Sequence, residues 1–212
     1  MSLAVAVISD VICPWCFIGK RRLEKAVAAV EGRHEVRVRW LPFQLNPTMP
    51  KEGISRKEYR TRKFGTWERS LELDAKVIAV GEMEGIRFAF DRIERTPNTL
   101  DAHRLIWLAD KEGVQGAVVE ALFRAYFTEG RDISNRQTLL DVVADAGLDR
   151  RKAEGVLNTD EGLAAIQDTD QLSRHFRVEG VPFFIVNDTL TLSGAQLPNT
   201  FREAFQQALV PK

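Results

Sequence analysis

The chain's two cysteines, Cys13 and Cys16, stand three positions apart and enclose Pro14 and Trp15. An apolar run, residues 3–8, leads straight into them, and a segment with helical spacing, residues 19–30, follows. Two thiols at this spacing, placed where a strand hands over to a helix, can exchange electrons with a disulfide. Pro14 suits the first helical position, where its missing N–H costs nothing and its fixed φ already fits, so Cys13 is expected at the N-cap or next to it. The unpaired N–H groups of the first turn and the positive end of the helix dipole favour a thiolate at that point. Counting from Cys16, Leu23 and Val30 fall on one stripe with Ala26 and Val27 beside it, so Cys16 should open the inward face. The expectation is an acidic, exposed Cys13 that attacks and a shielded Cys16 that resolves the mixed disulfide.

Other readings of the pair carry less. Structural zinc needs four ligands, yet there is no second cysteine pair, and His34, His103 and His175 are scattered. A structural disulfide closing so short a loop restrains the unfolded chain little. Two inert core cysteines would make the helix-start position a coincidence. Lys20 and Arg21 could add positive potential near Cys13, although a solvated basic face is the plainer reading.

Composition narrows the partners. The chain has 212 residues with 30 basic and 30 acidic ones, a formal net charge of zero. No basic cluster alternates with aromatics, which argues against nucleic acid as a partner. No apolar stretch approaches the length of a membrane span, and the first residues lack the pattern of a secretion signal, so a cytoplasmic protein is expected. The length allows one large domain or two interlocked ones.

Positioning the thiols requires a sheet and several helices. Residues 3–9 read as a strand covered on both faces, and residues 34–40 alternate as a strand with one buried face. Between them the helix after Cys13 should stop at Gly32, and a right-handed crossover would make the strands parallel. From about residue 55 to residue 177 the spacing becomes helical. It predicts helices over residues 67–83, 116–127, 136–146, 150–157 and 161–176 and one opened by Pro97-Asn98-Thr99 that runs to Gly113, with Ser134, Asp149 and Asp160 as N-caps. Strand patterns return at residues 180–186 and 189–193 around an Asn187-Asp188 turn, and Pro198 opens a last helix with Phe201, Phe205 and Leu209 on one side.

This order of strand, Cys-x-x-Cys, helix, strand, then a Val-Pro opening a hairpin and a final helix, resembles thioredoxin. A helical insertion before the Val-Pro resembles the DsbA family. Cys13-Pro14-Trp15-Cys16, Asn98-Thr99-Leu100-Asp101-Ala102-His103-Arg104, Gly180-Val181-Pro182-Phe183-Phe184 and Ser193-Gly194-Ala195-Gln196 are together similar to its FrnE-like branch. The resemblance implies an α/β thioredoxin-like fold, residues 1–53 and 178–212, with a large all-helical domain inserted at residues 54–177. It also implies that Pro182 follows a cis peptide bond facing the cysteines, and that the Val181 backbone pairs with an extended substrate or glutathione. Pro14, Trp15, Val181 and Pro182 are thus candidates for the substrate groove. His103 is a candidate proton shuttle, although a lone helix histidine more often packs. Phe43 is expected in the core, with Trp15 alone exposed, and Phe183 and Phe184 on opposite faces of their strand.

The implied activity is a thiol:disulfide oxidoreductase or isomerase, with Cys13 attacking and Cys16 resolving. It would need no metal or resident cofactor, with glutathione a candidate co-substrate and a disulfide- or thiol-containing protein or small molecule the partner. Kappa-class glutathione transferases and 2-hydroxychromene-2-carboxylate isomerases share the architecture but typically carry Ser where Cys13 stands, so a glutathione-dependent transferase or isomerase is the alternative. A non-catalytic redox-sensing interaction module is a further one. Open sheet edges leave a homodimer conceivable.

Overall fold

In the computed structural model, which describes residues 2–210 and only the backbone of residues 170, 171, 174 and 175, β1 (Ser2–Ser9), α1 (Pro14–Ala28) and β2 (Glu35–Pro42) form the expected strand–helix–strand start. The side chain of His175 thus lies outside the described ones. The strands run parallel, Ser2 opposite Glu35 and Ser9 opposite Pro42. The short β3 (Ile54–Ser55) is followed by α2 (Arg56–Phe64), α3 (Trp67–Met83) and the short β4 (Arg95–Thr96). Five helices come next: α4 (Leu100–Lys111), α5 (Gln115–Phe127), α6 (Arg136–Asp145), α7 (Arg150–Leu157) and α8 (Leu163–His175). The chain then returns as β5 (Phe183–Val186), β6 (Leu190–Ser193) and α9 (Pro198–Leu209). The main sheet has the order β2-β1-β5-β6, with β5 antiparallel to both β1 and β6, and β3 pairs with β4 in a sheet of its own.

Several expectations need correction. β1 is covered on both faces only in its second half: Val7, Ile8 and Ser9 are buried but Ala4 is exposed, because the cluster that Leu172 and Phe176 pack against takes in Ile8 and the half-buried Ala6 of this strand but not Ala4. α1 ends at Ala28, short of Val30. There Val30 N and Glu31 N both turn back to Val27 O at 3.0 Å, and Gly32 takes the left-handed φ of +84° that closes the turn. Asn135, not Ser134, caps α6, since its Oδ1 reaches Thr138 N at 3.0 Å while the Ser134 hydroxyl is engaged by Asp132 and Glu52 O. Asp149 caps α7 as expected, accepting from Lys152 N. α8 starts at Leu163, with Leu163 N bonded to the Asp160 carbonyl, so Asp160 stands before its first turn.

The core knits α1 to the inserted helices. Phe17 stacks on Phe123 at 5.1 Å between ring centroids, and Phe184 meets Phe201 edge-on at 4.7 Å. Phe184 belongs to this main cluster, whereas Phe183 joins Ile8 and Ile185 on the other face of the sheet with Phe43 packed against them. Among the described residues no helix is long and apolar enough to cross a membrane.

Lys20 and Arg21 do not form a solvated basic face. Lys20 is buried and bridges Glu24 and Glu120, and Arg21 also pairs with Glu120. Burial alone would raise the Glu120 carboxyl, but the hydrogen bonds from Arg21 and Lys20 outweigh it and hold Glu120 below the usual carboxylate range. A folded-state pKa lower than the unfolded one gives stability that is present above the unfolded value and lost as pH falls through the folded value. Glu120→Gln should therefore lower stability by about 1–2 kcal/mol at pH 7. In thermal melts across pH, the gap from the unaltered protein should close in acid; a gap that persists where Glu120 is protonated contradicts the assignment.

Candidate functional site

The thiols are set by the end of β1 and the start of α1. Cys13 is the N-cap of α1, extended at φ −93° and ψ 111°, Pro14 follows in the first turn, and no side chain caps the helix. Cys13 N donates to Asp10 O at 3.0 Å and Cys16 N to Cys13 O at 3.0 Å, which fixes the loop around the pair. Both cysteines are free thiols. Cys16 has no exposed surface, in keeping with its place on the inward stripe. Burial pushes its thiol well above the ordinary value, and Cys13, by hydrogen bond and by charge, pushes it further; the Ser9 side chain and Asp10 backbone pull the other way.

Cys13 is less open than the sequence suggests, only 6 % exposed. The cover is the loop before β5: Cys13 Sγ donates to Val181 O at 3.4 Å, and Val181–Pro182 is the cis peptide bond. Cys13 still opens on one side, into a cavity of about 390 Å³ that it lines together with Pro14 and Trp15. Trp15 is 40 % exposed at this opening, while Phe43 is partly buried and does not line it. Val181 and Pro182 reach the pair through the contact of Val181 O with Cys13 and are not among the residues that line the cavity.

Gly19 sets how closely α1 approaches Pro182. A Cβ at Gly19 would lie 2.9 Å from Pro182 Cγ and 3.1 Å from Phe184 Cζ, both held in packed surroundings. Gly19→Ala should cost about 1–3 kcal/mol of stability and shift Pro182 relative to Cys13. Denaturant unfolding checks this, and a variant as stable as the parent would show that the contact yields freely.

His103 sits behind the cysteine loop rather than in the cavity lining. It is buried, with Nε2 3.0 Å from Phe43 O and 3.3 Å from Asp10 Oδ1. Both neighbours accept, so the network assigns the proton to Nε2, and Nδ1 is left without a partner. Asp10, fully buried, also accepts from Leu45 N at 2.7 Å. His103 and Asp10 together tie the loop before Cys13 to α4 and to the chain after β2.

The far wall of the cavity comes from α2 and α3. Arg56 and Arg60 each donate to Asp74, NH2 to Oδ2 and NH2 to Oδ1, both at 2.6 Å. Burial pulls the Arg60 guanidinium below its ordinary value despite Asp74, and Arg56 adds to the pull. Tyr59, Lys63 and Tyr126 also face this space. Sequence reasoning did not single out these residues. The Ser55-x-x-Glu58 pattern, in which Ser55 Oγ accepts from Glu58 N, was the available signal for α2, but its side chains are too polar overall to mark a face toward a site. Asp10, an acid three positions before Cys13 at the end of an apolar strand, was legible as an anomaly. Among the described residues no group of three or more His, Cys, Asp or Glu side chains is placed to hold a metal ion.

Comparison with known proteins places the fold. The family model of the DSBA-like thioredoxin domain matches residues 4–206. The crystal structure of the probable DsbA oxidoreductase SCO1869 from Streptomyces coelicolor is similar at a TM-score of 0.88 and 30% identity, over 99% of this chain and 92% of that one. The cytosolic disulfide reductase DsbM from Pseudomonas aeruginosa, solved with GSH, shares the fold at a TM-score of 0.68 and 20% identity, over 97% and 98%. The uncharacterised protein YwbO of Bacillus subtilis (strain 168) is 27% identical over 209 residues, 96% of each chain.

Proposed function

The chain belongs to the DSBA-like thioredoxin-domain family, and we propose that within it this protein is a thiol:disulfide oxidoreductase whose reacting groups are Cys13 and Cys16. The observation that carries the reading is the asymmetry of the two thiols: Cys13 borders a cavity, and Cys16 lies wholly buried one turn behind it. In the reductive direction the Cys13 thiolate attacks one sulfur of a substrate disulfide. The substrate S–S bond breaks, and one thiolate leaves with the electron pair. Cys16 then gives up its proton and attacks Cys13 Sγ, releasing the second substrate thiolate. The protein is left as the Cys13–Cys16 disulfide, two electrons poorer, and the substrate as two thiols.

Turnover requires re-reduction by a thiol, and glutathione is the proposed co-substrate. Its presence with DsbM, a cytosolic reductase of the same fold, is consistent with that choice and with a cytoplasmic setting. Pro14 and Trp15 would shape the opening, and the Val181 carbonyl, freed when Cys13 ionises, would meet an extended substrate. His103 is assigned a positioning role: through Asp10 it holds the loop that carries Cys13. Reduction of insulin by dithiothreitol, followed by the turbidity of the released chain, tests the activity; the protein should shorten the lag in proportion to its concentration. Glutathione conjugation without disulfide reduction would instead favour a transferase, and neither activity would favour a redox-sensing module.

A further inference from the structure

We propose that the cavity beside Cys13 selects its substrate by charge and shape, taking a small disulfide that carries a carboxylate on an apolar, ring-sized body. This rests on the oxidoreductase reading and narrows its substrate class. The cavity's volume of about 390 Å³ is that of a small-molecule site, too small for a folded protein segment. Beside Cys13 the lining includes the apolar Ile12, Pro14, Trp15, Val77 and Phe127, together with the cations Arg56, Arg60 and Lys63 of α2 and Lys76 of α3. Among the described residues Asp74 is the only acid that lines it.

Asp74 is shared by two guanidinium groups, so one of their two positive charges is not balanced within the triad. Buried cations of this kind are stabilised by an anion that reaches them where water is scarce. Arg60 lies over the Phe64 ring at 4.8 Å, and Lys63 lies near the rings of both Tyr59 and Phe64, so cation and aromatic surface are presented together. A carboxylate directed at this wall, with its apolar body against Trp15 and Val77, would leave the disulfide sulfur at Cys13. The exchange is the one already written: the substrate disulfide gains two electrons and becomes two thiols, the Cys13–Cys16 dithiol is oxidised, and a thiol reductant restores it.

The test uses the full chain under dithiothreitol with three disulfides. 5,5′-Dithiobis(2-nitrobenzoate) is anionic and aromatic, 4,4′-dithiodipyridine is aromatic without carboxylates, and oxidised glutathione is anionic without an apolar body. Rates are divided by those of free dithiothreitol, which removes the intrinsic reactivity of each reagent. The nitrobenzoate should exceed each of the others by roughly tenfold, a difference of about 1.4 kcal/mol in transition-state binding. That preference should fall as salt rises and should shrink in Arg60→Met and in Lys63→Met, a change at an exposed side chain. Arg39→Met, a change at an exposed cation outside the cavity, should leave the preference as it is. Equal normalised rates for the three disulfides, or a preference untouched by both cavity variants, overturns the inference while leaving the oxidoreductase reading in place. Failure to accelerate any of the three defeats both.

Discussion

Replacing the Cys13 sulfur with oxygen, Cys13→Ser, should lower disulfide reductase turnover by at least about a thousandfold, because a serine hydroxyl is not ionised near neutrality and cannot form the mixed disulfide. The fold should be unaffected, since the hydroxyl of serine can take over the hydrogen bond that the Cys13 side chain donates to Val181 O. Cys16→Ser should behave differently. It keeps the attacking thiol and loses the resolving one, so it should complete the first half-reaction and stop. Turbidity kinetics on insulin with both variants check the pair. Reductase activity retained by Cys13→Ser would remove Cys13 from the chemistry.

The largest stability effect should come from Asp74→Ala. Arg56, Asp74 and Arg60 have side chains only 6%, 7% and 16% exposed, and removing the carboxylate leaves two guanidinium groups facing each other with little water. A buried pair broken by deletion of one partner typically costs about 3–5 kcal/mol, and the same cost is expected here. Arg56 also lies over the Trp67 and Phe90 rings, so the loss should spread to the junction of α2 with α3 and the cavity wall. Urea unfolding gives the number directly. A loss under about 1 kcal/mol would mean that the two arginines find water or other partners.

Much of the fold was legible in the sequence because its signals are local. The apolar strand, Pro14 at the helix start, the Asn187-Asp188 turn and Pro198 each act within a few residues, and the turn residues indeed take left-handed φ values of +47° and +59°. The helix ends were less legible: the stop at Ala28 depends on where Val30 and Glu31 turn back, not on Gly32 alone. β3 and β4 were invisible because two residues carry no period, and the pairing of Ile54 with Thr96 is set by tertiary contact.

The same division runs through the site. Cys13 and Cys16 announce themselves by spacing, but the cover over Cys13 comes from Val181, 168 positions away. The cavity's cationic wall depends on α2 and α3 folding back toward α1, which no local pattern states. His103 shows the limit most clearly. Its place on a helix was readable, yet its partners are a carbonyl and a carboxylate from two other segments, and these make it a tie behind the loop.

The most direct measurement of the central claim is to map the mixed disulfide. Cys13→Ser and Cys16→Ser are each reduced, mixed with a small disulfide, quenched in acid, and read by mass spectrometry of the intact chain and its peptides. The account predicts rapid, stoichiometric capture on Cys13 in Cys16→Ser, and capture on Cys16 in Cys13→Ser slower by roughly a hundredfold or more, because that thiol is buried and its proton is held. Equal capture on the two sulfurs, or faster capture on Cys16, would contradict it.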